Sequence, residues 1–178
     1  MPRRFTLLLL ILISVLLAAC SKQSSEGSSQ PVASLAEGKI GALRIVGVKV
    51  APSLTVSSQD TAEKLDAGLR PANPGDTRNI VVELTIESDT LKEMLPLPCG
   101  SFMLTYDGGS APCVGLSFGD QWILATSGSP EIKLIYNEPG ETREEKLLFL
   151  VPKHVEAATL ELKSTSGPPA RLARLTLP

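Results

Sequence analysis

Only one histidine and three cysteines occur among the 178 residues, aromatic side chains make up 4%, and 17 basic residues face 19 acidic ones. Phosphate backbones demand a clustered excess of Lys and Arg, so the missing basic excess argues against a dedicated nucleic-acid binder. Long apolar runs are scarce too. The one that stands out, Leu7 to Leu17, is broken only by Ser14 and falls short of the roughly 20 residues that cross a bilayer, which excludes a multi-span membrane protein. With 43% hydrophobic and 20% charged residues, and Gly and Pro in no collagen-like repeat, collagen, coiled coil and wholesale disorder are excluded. The length suits one ordinary globular domain.

Catalytic signatures are also absent. Gly115-Leu116-Ser117-Phe118-Gly119 spells Gly-x-Ser-x-Gly, but it lies in an expected strand with no helix after it and so makes no nucleophile elbow, and no Gly-rich phosphate loop, His-Glu-x-x-His helix or EF-hand spacing occurs. The acids Glu144-Glu145 and Glu141-Thr142-Arg143 read as the solvated start of a strand. The sequence therefore reads as a non-enzyme, with no cofactor and no small-molecule substrate.

What is present begins at the amino terminus. Arg3 and Arg4 precede the apolar run, and Leu17-Ala18-Ala19 place small residues before Cys20, the pattern of an export signal. Leu17-Ala18-Ala19-Cys20 resembles the bacterial lipobox, in which the thiol receives a diacylglycerol and the preceding peptide bond is cut. That resemblance implies residues 1–19 as signal peptide, Cys20 as the lipidated amino terminus and the membrane as first partner. Acyl chains gain about 0.8 kcal/mol per buried CH₂, so two or three of them on one cysteine hold a protein firmly. Ser21 rather than Asp follows Cys20, similar to lipoproteins sent to the outer membrane in diderm bacteria. Cleavage would remove Arg3 and Arg4 and leave the exported chain more acidic than its formal −2. The body would then repel an anionic bilayer, so the acyl chains do the holding.

Residues 20–38 are rich in Ser, Gln and Gly with almost nothing to bury, and read as a flexible tether. From Lys39 period-two patterning takes over. Expected strands are Val46 to Val50, Ile80 to Ile86, Phe102 to Tyr106, Val114 to Phe118, Gln121 to Ala125, Ile132 to Tyr136, Glu145 to Val151, Thr159 to Lys163 and Arg171 to Leu177. With no helices alternating between them, they predict an all-β antiparallel sandwich over 39–178. One short helix is expected in the long connection from Ser57 to Asn79, with Asp60 as its cap, Glu63 completing a capping box, and Pro71 ending the run. Connections of that length are either loose or functional.

The order of these pieces resembles the telokin-like, immunoglobulin-fold domain of unknown function carried by many bacterial lipoproteins. The matching parts are Ile45 to Val50, Ile80 to Ile86, Phe102 to Gly108, Glu138 to Glu141 and Leu148 to Pro152, so the likeness spans about 39–163. Glu87-Ser88-Asp89 stands where members commonly carry Asn, and Arg171 to Leu177 adds a strand the family pattern does not place. The resemblance implies an immunoglobulin-like sandwich in the cell envelope and carries over no catalytic residues.

Among individual residues, Cys99 and Cys113 are the thiols left once Cys20 is acylated, and a disulfide is the default for an exported pair. A three-residue Asp107-Gly108-Gly109 turn would set Cys113 opposite Met103, four residues from Cys99 and on the order of 13 Å along a strand. Pro98 and Gly100 can bend the chain back, and two separate thiols remain the alternative. A soft-metal or redox carrier would instead combine Cys99, Cys113, Met103 and His154, with Met94 nearby. Trp122, just after Asp120, is either core filling or an exposed anchor that forms a binding rim with Ser127 to Pro130. The expectation is a membrane-anchored extracytoplasmic binding or structural module whose partner is an envelope protein or polymer.

Overall fold

The computed structural model describes residues 39–40, 43–52, 54–88, 94–164 and 167–178. The signal peptide, Cys20 and the tether lie outside them.

Every strand the patterning predicts is present, and the described residues add two more. In chain order they are β1 (Lys39–Ile40), β2 (Leu43–Ala51), β3 (Thr77–Ser88), β4 (Met94–Pro98), β5 (Phe102–Tyr106), β6 (Gly109–Phe118), β7 (Gln121–Leu124), β8 (Glu131–Ile135), β9 (Thr142–Pro152), β10 (Ala157–Leu162) and β11 (Ala170–Thr176). One antiparallel sheet runs β1-β2-β3-β9-β6-β5-β10-β11 with β7 paired to β6, and β4 and β8 form a separate two-stranded sheet. The fold is all-β and consistent with a β-sandwich.

β6 is the strand on which the sheet turns. Residues Gly109 to Pro112 pair with β5, Cys113 to Leu116 with β9, and Gly115 to Phe118 with β7. The ladder to β9 shifts register between Cys113 and Gly115, the kind of irregularity that bends a strand and raises its twist. Gly115 sits in the bend because there is no room for more: a Cβ there would lie 2.9 Å from a Leu124 methyl and 3.2 Å from the Ile123 carbonyl. The two halves of the sheet thus share one core, in which Ile80, Leu84, Leu147 and Phe149 meet Leu104, Leu160 and Leu172.

The alternation of Ile80 to Ile86 predicts a half-buried strand, but β3 and the second half of β9 are buried on both faces. Their second face, with Val81, Leu148 and Leu150, joins a separate cluster with Ala62 and Leu65 from the long connection. That connection is therefore an ordered outer layer and not a loose loop. It holds α1 (Ser58–Glu63) and 3-10 turns at Ala67–Leu69 and Pro74–Asp76. The Asn79 side-chain amide donates to Val56 O at 2.7 Å and the Ser58 hydroxyl to Thr77 O at 2.7 Å. The cap of α1 is Ser57, three residues before the expected Asp60. Asp60 occupies the third helical position, donating its N–H to Ser57 Oγ at 3.1 Å and accepting the Ser57 hydroxyl at 2.8 Å. The helix therefore starts one turn earlier than expected, and Ser57 caps it through its hydroxyl in place of the expected Asp60–Glu63 box.

β4 escapes sequence patterning because Pro96 and Pro98 read as strand breakers. Both lie on one edge. The Cys99 N–H donates to Pro130 O at 2.8 Å, so alternation turns the donors of odd-numbered residues toward the β8 side and the missing proline donors to the free edge, where a strand tolerates them. The β5–β6 turn also differs from expectation. It has two central residues, Asp107 and Gly108, with Gly108 at φ 84°, and Tyr106 pairs Gly109. Asp-Gly suits this tight turn, since glycine adopts positive φ at little cost. The register moves by one residue and places Phe102, not Met103, in line with Cys113.

Candidate functional site

Cys99 and Cys113 are joined in a disulfide with a Cα–Cα distance of 5.4 Å. The one-residue register change shortens the expected four-residue offset to three. The rest comes from the 3-10 turn Cys99–Ser101, which shortens the path before β5 and swings Cys99 back over β6. The turn is held from the other side, because Gly100 N–H donates to Ser129 Oγ at 2.6 Å.

The soft-metal set is not assembled. Both cysteine sulfurs are consumed by the disulfide, Met103 stands on β5 between Pro112 and Glu161, and His154 lies in the turn after β9. Among the described residues no group of three or more His, Cys, Asp or Glu side chains is placed to hold a metal ion.

Trp122 is half-buried and packs against the outer cluster. Its hairpin places Gly115, Ser117, Trp122 and Leu124 on that face and Leu116, Phe118 and Ile123 on the opposite one. The large apolar side chains left open there are Phe118, 65% exposed, and Ile123, 39% exposed. Asp120 is exposed at the hairpin tip, next to Gly119 with φ 59°. The Ser127 to Pro130 loop is tied down on both sides: Gly128 N–H donates to Asp66 Oδ2 at 3.0 Å, and Ser129 accepts from Gly100. Trp122 and this loop therefore belong to the seam between the sheet and its outer layer.

Glu145 is the ionisable residue that sequence reasoning misplaced. It is half-buried rather than solvated, standing opposite Leu84 and on the same face as Leu147 and Phe149. Burial pushes its carboxyl up to about 7, against a smaller opposing pull from Arg143. Tyr136, fully buried beside it, donates its hydroxyl to Ile86 O at 3.3 Å. Burial, with the Glu145 charge second, raises the Tyr136 phenol to about 12. Arg143 lies 5.6 Å from the centre of the Tyr136 ring and donates to Glu141 Oε1 at 2.9 Å. Glu141 also accepts the Asn137 N–H at 2.6 Å, the leading reason its carboxyl is held below the usual range.

The raised Glu145 carboxyl has a definite consequence for stability. Between 4.5 and about 7 the folded chain keeps a proton that the unfolded chain has released, so this group makes stability fall as pH rises through that window. Solvent reaches the side chain and screens the penalty, leaving about 1 kcal/mol. Glu145→Gln is expected to gain that amount at pH 8 relative to pH 4.5 when its thermal unfolding is compared with wild type at both. A wild-type-minus-variant difference independent of pH would show that the carboxyl titrates normally.

A concavity of about 680 Å³ opens where the β5–β6 and β9–β10 turns meet. It brings together Tyr106, Asp107, His154, Glu156 and Arg174 over Val155 and Ala158. Among the described residues no helix is long and apolar enough to cross a membrane. No protein-family model matches the chain, and no similar protein emerged among curated proteins or solved structures, so its function has to be argued from its own residues.

Proposed function

We propose that the protein is a lipid-anchored lipoprotein of a bacterial cell envelope, in which an immunoglobulin-like sandwich serves as a binding or structural accessory module. The observation that carries this reading is the distribution of the three cysteines. Two are joined within the folded domain, as befits an oxidising, extracytoplasmic compartment, and the third, Cys20, ends the lipobox-like Leu17-Ala18-Ala19-Cys20. Export and acylation account for both facts together. The immunoglobulin-type assignment is supported by two antiparallel sheet halves over one core and by the non-consecutive neighbours β3-β9-β6. The likeness to telokin-like lipoprotein domains agrees with it.

The test is Cys20→Ser in a bacterial host. The wild-type chain is expected in the membrane pellet and the variant in the soluble fraction, with the same thermal midpoint once both are purified. Mass spectrometry of the native amino-terminal peptide should find a diacylglyceryl-modified cysteine. An unmodified thiol there, or a variant that stays in the pellet, overturns the proposal.

A further inference from the structure

The concavity at the β5–β6 and β9–β10 turns is a fork in the sheet. β10 pairs with β5 only as far as Thr159 with Thr105. Continuing that register would place Ala158 opposite Tyr106 and Ala157 opposite Asp107, but the ladder opens instead. β10 stays paired to β11 on its other side through Ala157 with Thr176. Leu177 N–H donates to Glu156 O at 2.8 Å, so Glu156 turns its main-chain groups to β11 and alternation turns those of Ala157 toward the fork. One amide donor and one amide acceptor are thereby presented at the groove, above buried Val155 and Ala158.

The rim is polar and of mixed character. Asp107 and Glu156 are exposed carboxylates that can only accept, Arg174 is an exposed donor, and His154 has a ring able to do either. Tyr106 supplies a half-buried aromatic ring, packed over the strand opposite: a Cβ on Gly109 would lie 3.2 Å from it, so the glycine makes the space for the ring.

We infer that this fork is a binding site for an N-acetylated hexosamine chain, in which the acetamido group meets the open amide of Ala157 and the ring hydroxyls meet Asp107, Glu156 and Arg174. The carbonyl of an acetamido group can accept the open Ala157 N–H while its methyl meets the apolar floor, which leaves the Ala157 carbonyl to a ring hydroxyl. Sugar hydroxyls each donate and accept, which suits a rim of carboxylates facing a guanidinium. Tyr106 offers an aromatic flank for a pyranose ring. An extended peptide fits less well, because strand addition needs several consecutive open rungs and the fork offers at most two. The inference deepens the reading of the protein as an envelope binding module, while the site itself does not depend on the anchor.

The experiment uses the full chain in detergent, titrated calorimetrically with chitotetraose, with N-acetylglucosamine and with a hydrophilic decapeptide. Chitotetraose is expected to bind, and the monomer at least tenfold more weakly if the ligand is a polymer rather than a free sugar. The double variant Asp107→Asn with Glu156→Gln removes both charge-assisted acceptors, and Asn-Gly keeps the turn, so it should fold normally and bind at least tenfold more weakly. His154→Ala provides a second substitution on the exposed rim with an expected loss of several-fold. Cys20→Ser should bind chitotetraose like wild type, which separates this test from that of the anchor. Absence of tetramer binding at millimolar concentration, binding of the peptide alone, or unchanged affinity in the folded variants each overturns the assignment.

Discussion

Removing the disulfide by Cys99→Ala with Cys113→Ala is expected to cost about 3 kcal/mol and lower the thermal midpoint by roughly 6–12 °C. The two cysteines are separated by 14 residues, and opening a loop of that size returns conformational entropy to the unfolded chain. Both side chains are buried in the main core, so alanine also leaves a small void. Chemical reduction of the wild-type chain isolates the cross-link from the void and should account for most of the change. The loss should also be local. The disulfide fixes the Cys99–Ser101 turn, from which Cys99 and Gly100 donate to Pro130 and Ser129 just ahead of β8. Hydrogen exchange in β4 and β8 should therefore accelerate before that in β3 and β9. A reduced protein with an unchanged midpoint and unchanged exchange would mean that the turn holds without the bond.

The same region shows what the sequence could and could not reveal. Strands were legible wherever one face is apolar and the chain alternates, as in Ile80 to Ile86 and Phe102 to Tyr106. β4 was hidden because proline usually ends a strand, and only knowledge of which edge is free makes Met94–Pro98 acceptable. Cys113 was misplaced by one residue because Asp107-Gly108-Gly109 can be cut into a turn of two residues or three. For Glu145 the signal was present and overlooked. It shares parity with Leu147, Phe149 and Val151, all buried in the main core, while its charged neighbours Glu144 and Lys146 point the other way and are exposed. The fork was beyond sequence reasoning. Asp107 and His154 lie far apart in the chain and meet only because β10 docks on β5 and then parts from it.

Truncating Phe149 to alanine is expected to cost about 3–5 kcal/mol. Phe149 is fully buried on β9, pairing Ile80 of β3 on one side and Cys113 of β6 on the other, at the point where the sheet begins to turn. Its loss leaves a cavity that neither half of the sheet can close without breaking strand pairing. Trp122→Ala is the contrasting variant. That ring is larger, yet it is half-buried against an outer layer made of short elements, α1 and two 3-10 turns, which can settle inward. Its cost should be about 1–2 kcal/mol, below the roughly 3–5 kcal/mol of a fully buried aromatic truncation. Urea unfolding of both variants, with midpoints compared at equal slope, measures the difference. Equal costs would mean that the outer layer is as integral as the main core. A larger cost for Phe149, with amides of α1 exchanging faster than those of β9 in the Trp122 variant, would mean that the folded sheet outlasts the layer resting on it.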